Sequence, residues 1–113
     1  MVRVTPKRGD VIWADLDPAR PLEMPKVRPF LVITNVDYNK GGLLFGVPIS
    51  TVINNGPYEI PVIRNPSFSG VILTNKSREI DWLSREDANY NRSACNNSEV
   101  KRAIALIKAF LGS

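Results

Sequence analysis

Histidine is absent from the 113 residues, and cysteine occurs once, at Cys95. Ser-His-Asp and Cys-His nucleophile systems are therefore excluded as usually built. So are zinc sites made of His and Cys. A metal site would have to be an oxygen site for Mg²⁺ or Ca²⁺, and the acidic residues show no EF-hand spacing. The sequence has no GxGxxG motif and no P-loop motif, so nucleotide-cofactor chemistry has no support. No run of about 18 apolar residues is present to span a membrane. The first eight residues, Met1 to Arg8, lack the apolar stretch of a secretory leader. A lone cysteine forms no internal disulfide, which makes a reducing cytoplasm the expected compartment. No cofactor, metal or membrane partner is expected. An enzyme of this composition works with Arg, Lys, Asp, Glu, Ser, Thr or Tyr, or borrows a reactive group from its substrate.

Apolar residues make up 43% of the chain and charged residues 23%, the balance of one folded domain over residues 1–113. Fifteen basic residues against eleven acidic ones give a net charge of +4. That excess suits a polyanionic partner, and equally suits a domain with a few surplus lysines.

Residues 11–16, rich in β-branched and aromatic side chains, read as a first strand that stops at Asp17-Pro18. Four of the nine prolines follow, at 18, 21, 25 and 29, so residues 18–29 form a loop. Residues 30–34 are a short apolar run, read as a buried strand. A helical turn is predicted over 35–39. Further strands are predicted over 43–49, 58–63, 71–74 and 80–83, with Asn54-Asn55-Gly56 as a turn. Pro48 and Pro61 point to edge or bulge positions. The last segment changes period. Ser98 and Glu99 mark a helix start and Gly112 a stop. Val100, Ala103, Ile104, Ile107 and Leu111 share one face, widened by Leu106 and Phe110. The expected fold is mainly β with a C-terminal helix, a small and strongly bent β-barrel or sheet.

Four places carry candidate chemistry. Arg28 stands at the mouth of the second strand, where its planar guanidinium suits phosphate. Ser50 and Thr51 supply hydroxyls at the end of the third. Glu23 lies in the proline-rich loop among Arg20, Lys26 and Arg28, cations that would keep it ionised as a proton acceptor. Lys76 and Arg78 follow the fifth strand, where Lys76 faces a polyanion and Arg78 pairs with Asp81. Each has a plainer explanation when taken alone: a solvated loop charge or a strand-ending hydroxyl. Trp13 and Trp82 read as core or interface residues, and Cys95 as packing, since no histidine activates it. Tyr38, Tyr58 and Tyr90 are candidate surfaces for base stacking.

Taken in order, these residues resemble a known family. The run Arg8-Gly-Asp-Val-Ile-Trp-Ala-Asp-Leu-Asp-Pro18, the spacer with Glu23 and then Val27-Arg-Pro-Phe-Leu-Val-Ile33 are similar to the MazF/PemK toxins. So are Val47-Pro-Ile-Ser-Thr51, Arg78-Glu-Ile-Asp81 and the C-terminal helix. The resemblance spans residues 8–111. It implies an SH3-like, CcdB-like fold and a type II toxin that acts as a metal-independent endoribonuclease. It further implies a homodimer and a cognate antitoxin that covers the RNA site with an acidic, partly disordered segment. Arg28 then matches the catalytic arginine. Ser50 and Thr51 stand where the family has threonine followed by serine, which leaves open which hydroxyl acts. Glu23 matches a loop acid, and Arg20, Lys26, Lys76 and Arg78 would contact RNA. Glu79 replaces a threonine of the family pattern.

RNA brings its own nucleophile, the ribose 2′-OH, so this chemistry needs neither histidine nor metal. Single strands are the expected substrate, because their bases can splay out. Two alternatives compete. A gyrase-binding toxin like CcdB would share the fold, but the tail Ala109-Phe-Leu-Gly-Ser113 lacks the Trp-Gly-Ile ending such a poison uses. An SH3-like RNA-binding module without activity is the other.

Overall fold

The computed structural model of the chain describes residues 4–15, 27–63, 65–83 and 89–112, the side chains of Asp15 and of 89–93 excepted. The elements run β1 (Asp10–Asp15), β2 (Val27–Val32), α1 (Val36–Asn39), β3 (Leu43–Ser50) and β4 (Glu59–Pro61). Then come β5 (Val71–Leu73), a 3₁₀ turn (Thr74–Lys76), β6 (Arg78–Asp81), β7 (Asn89–Ala94) and α2 (Asn97–Phe110). The strands pair antiparallel in the order β4-β5-β3-β2-β1-β7, with β6 also on β3. The class expected from the sequence is the one that forms. The barrel does not close: among the described residues β4 and β7 end the sheet and do not pair with each other.

The opening traces to β3, which serves two neighbours in succession on one side. Leu43–Gly46 pair with β6, and Ile49 and Ser50 pair with β5. Pro48 falls in the gap between them. It therefore sits inside the sheet, not on its edge, at a position where no neighbour calls for the N–H it lacks. Pro61 does lie on the terminal strand β4, as its missing donor requires.

Strand period two sorts the apolar residues of β1 and β2 to opposite faces. Val11, Leu31, Val47 and Ile49 pack with Ile60, Phe68 and Ile72 beneath α2, which contributes Val100, Ala103 and Ile107. Ile12, Phe30, Val32, Leu44, Ile80 and Trp82 form a second core behind the sheet. Phe30 is fully buried and sets the spacing there. A Cβ at Gly46 would lie 2.4 Å from its ring and 2.3 Å from the Leu31 carbonyl, so only glycine fits.

Beneath the second core a buried amide joins three segments. Asn39 Nδ2 donates to the Pro6 carbonyl at 2.8 Å and to the Thr34 carbonyl at 3.0 Å. Its Oδ1 accepts from the Thr34 hydroxyl at 2.6 Å. Its backbone carbonyl accepts from Trp82 Nε1 at 2.8 Å. The predicted helical turn is thus a device for holding this side chain inside.

Helix α2 starts with a capping box: Asn96 Oδ1 accepts from the Glu99 N–H, and Glu99 Oε1 accepts from the Asn96 N–H. The other oxygen of Glu99 accepts from the Ile63 N–H at 2.8 Å, so a local cap also ties the helix to the segment after β4. The apolar stripe is shorter than its spacing suggests. Leu111 is 71% exposed, beyond the helix end, and Phe110 is half-exposed with its ring edge-on to Tyr58. Strand β7 has no counterpart in the sequence reading. Its residues, Asn-Tyr-Asn-Arg-Ser-Ala, carry no apolar alternation, and the open edge of β1 supplies its pairing.

Cys95 is buried beside Glu99. Burial first, and that carboxylate second, push its thiol up to about 12. At mildly alkaline pH the folded protein should be alkylated by iodoacetamide on the order of a thousandfold more slowly than the urea-unfolded chain. Equal rates would contradict the burial. Asn39→Ala strands several buried polar groups. It should lower the unfolding free energy by about 2 kcal/mol or more in urea titrations.

Candidate active site

Three strand ends meet on one side of the sheet. β1 stops at Asp15, β2 begins at Val27 and β3 stops at Ser50. β2 starts three residues before the predicted Phe30, because Val27, Arg28 and Pro29 pair with Asp15, Ala14 and Trp13. The extended backbone preferred before proline assists. The ladder to β3 begins only at Phe30, opposite Pro48, so Pro29 loses no bond there. Arg28 and Ser50 each lie two residues beyond the last pair of that ladder, Phe30 and Pro48.

Arg28, Ser50 and Thr51 line one groove of about 400 Å³, with Trp13, Phe68 and Ser69. Trp13 and Phe68 pack edge to face, their centroids 6.4 Å apart, and give the groove an apolar floor. The Arg28 side chain is exposed, and among the described residues none forms a hydrogen bond or ion pair with it. It is a cation without a counter-charge among the described residues, carried on a strand. The Ser50 hydroxyl accepts from the Val52 N–H at 3.1 Å. A hydroxyl keeps its own proton to donate, so Ser50 Oγ is oriented by one bond and free to make another.

Gly70 fixes where this hydroxyl stands. Its φ is +119°, and a Cβ there would lie 2.0 Å from the Ser50 carbonyl oxygen. Its own carbonyl accepts from the Val62 N–H at 2.9 Å. The backbone before β5 thus presses directly on the end of β3, which no other residue type allows.

The structure brings together three of the predicted residues, Arg28, Ser50 and Thr51. Arg20, Glu23 and Lys26 lie outside the described residues. Lys76 is exposed in the 3₁₀ turn and Arg78 stands on β6 opposite Gly46. Neither is among the groove residues. Tyr38 donates its hydroxyl to the Glu79 carboxylate, which raises its pKa above the usual 10.0. That bond gives Glu79 a partner in this fold. Tyr58 is occupied by Phe110, and the Tyr90 side chain is not described. The sequence reading missed Phe68, Ser69 and the role of Gly70. Their only signal was a glycine directly ahead of a strand.

The model of the PemK-like, MazF-like toxins of type II toxin–antitoxin systems matches residues 7–108. The endoribonuclease toxin MazF of Escherichia coli K12 is 34% identical over 84 residues, covering 74% of this chain and 75% of that protein. A crystal structure of MazF from Deinococcus radiodurans superposes with a TM-score of 0.85 at 25% identity, over 98% of this chain and 100% of that one. A MazE–MazF structure from the same organism gives 0.82 at 23% identity, over 97% and 98%. With a family match over residues 7–108 and a relative 34% identical over 74% of its length, this chain belongs to the PemK/MazF family of type II toxin–antitoxin toxins.

Proposed function

We propose that this chain is an endoribonuclease toxin that cuts single-stranded RNA in the groove between Arg28 and Ser50. The observation that carries the reading is the groove that Arg28 lines together with the oriented Ser50 hydroxyl, Trp13 and Phe68. It is supported by the 34% identity to a protein named endoribonuclease toxin MazF.

The ribose 2′-OH attacks the adjacent phosphorus, and negative charge grows on the nonbridging oxygens of the pentacoordinate state. Arg28 offsets that charge with its planar fork of donors. Ser50 Oγ donates to a phosphate oxygen while Val52 N–H holds it from behind. The 5′ oxygen leaves, giving a 2′,3′-cyclic phosphate and a 5′-hydroxyl. A guanidinium holds its proton tightly and is a poor proton donor, so electrostatic stabilisation is its role. Glu23 is the proposed proton acceptor, and Arg20, Lys26, Lys76 and Arg78 extend the contact with the RNA backbone.

The toxin acts in the cytoplasm, as a homodimer. Its partner is an antitoxin whose acidic segment occupies the groove; MazE fills the antitoxin position in the related MazE–MazF structures. An anionic peptide and an RNA backbone compete for the same uncompensated Arg28.

Arg28→Ala should reduce cleavage of a long single-stranded RNA by about 10²-fold or more with the thermal transition unchanged. Arg28→Lys should restore little, because a point charge does not reproduce the fork. Undiminished cleavage by Arg28→Ala would discard the assignment. Ser50→Ala should lower kcat more than Thr51→Ala does, measured by single-turnover cleavage of a labelled oligonucleotide. The reverse order would transfer the role to Thr51.

A further inference from the structure

The loop between β3 and β4 contains the one Asn-Gly step in the sequence, Asn55-Gly56. A glycine nitrogen is unshielded by any side chain and can reach the side-chain carbonyl carbon of the asparagine before it. Three features leave that reaction unopposed. Asn55 is exposed at the turn, with φ at 56°. Among the described residues no hydrogen bond engages the Asn55 amide group or the Gly56 nitrogen. Glycine is also not demanded at 56 by the backbone or by space. Its φ is not positive, and a Cβ there would meet only Glu59 Oε2, at 3.9 Å. This contrasts with Gly46 and Gly70, which the packing requires.

We propose that Asn55-Gly56 is a self-modification site whose product adds a carboxylate beside the active groove. The Gly56 nitrogen bonds to Asn55 Cγ, the bond from Cγ to the side-chain nitrogen breaks, and ammonia leaves carrying the Gly56 proton. Water then opens the cyclic imide. Opening at one carbonyl gives aspartate at 55; opening at the other gives isoaspartate, with the main chain lengthened by a methylene. No oxidant or reductant takes part.

Either product acts on a turn held by a single carboxylate. Glu59 accepts from the Asn54 N–H at 3.1 and 3.2 Å and from the Asn55 N–H at 2.9 Å. A second carboxylate at 55 repels it, and the longer isoaspartyl backbone displaces the Asn55 N–H. Asn55, Gly56 and Glu59 line a second cavity of about 530 Å³ that ends at Gly70 and Val71. Those two residues press on and pair with Ser50. The new charge therefore stands in a cavity whose wall, Gly70 and Val71, is the backbone that holds Ser50. This consequence rests on the proposed RNA function; the modification itself does not.

The full-length protein is incubated at mildly alkaline pH and body temperature, digested and mapped by mass spectrometry beside an unstructured Asn-Gly peptide. The Asn55 peptide should gain one mass unit and separate into aspartyl and isoaspartyl forms. Peptides carrying Asn65, Asn75 or Asn96 should not change. Gly56→Ala should abolish the gain while keeping the circular dichroism spectrum. An intact Asn55 peptide, once the control peptide has converted, overturns the proposal. Asn55→Asp should raise KM for RNA with kcat retained, and an unchanged KM overturns the functional consequence. Should the wild type cut no RNA, the mass measurement still reads the modification, so the two failures are distinguishable.

Discussion

The antiparallel seam between β2 and β3 is the constraint on which the rest depends. Phe30 faces Pro48, and Leu31 and Val32 face Val47 and Gly46. A slip of one residue would turn every side chain of β2 to the other face. It would send Phe30 out of its core and separate Arg28 from Ser50. The buried ring that requires a glycine at 46 thereby also bears on the placement of the candidate site.

The proposed site is built by economy of position. Its cation and hydroxyl come from strands, the more rigid elements on which to hold a charge. Sequence separation between them is 22 residues, yet both line one groove. The supporting pieces, Gly70 behind Ser50 and Trp13 with Phe68 below, come from two further segments, β1 and the stretch before β5. None of them bears a charge toward Arg28 among the described residues.

The elements most legible in the sequence were those with a local signal. The Arg-Pro pair announced a strand mouth, and Ser98 with Glu99 a helix start, with the cap two residues before Ser98 at Asn96; the turn expected at Asn54-Asn55-Gly56 falls slightly later, closed by Glu59 N–H on the Gly56 carbonyl. What stayed hidden was non-local. Strand β7 is polar and exists because β1 offers an edge. The closeness of Gly70 to Ser50 appears only once β5 pairs with β3. Pro48 pointed to an edge or a bulge because proline lacks a ladder donor; it is tolerated inside because β3 exchanges partners there. The expected barrel stays open for the same reason. Leu111 has helical spacing but lies past the last turn, where period no longer implies contact. In the candidate site, Arg28, Ser50 and Thr51 were legible as chemistry, while their convergence was legible only through the family pattern.

Glu99 links levels that are usually separate. One of its oxygens closes the first turn of α2, and the other holds the backbone after β4. A helix that frays at its start must release the last strand of the sheet, and a sheet that opens at that margin must uncap the helix. Melting of the two should therefore be a single cooperative event, with the carboxyl-terminal segment acting as a latch and not as an appendage.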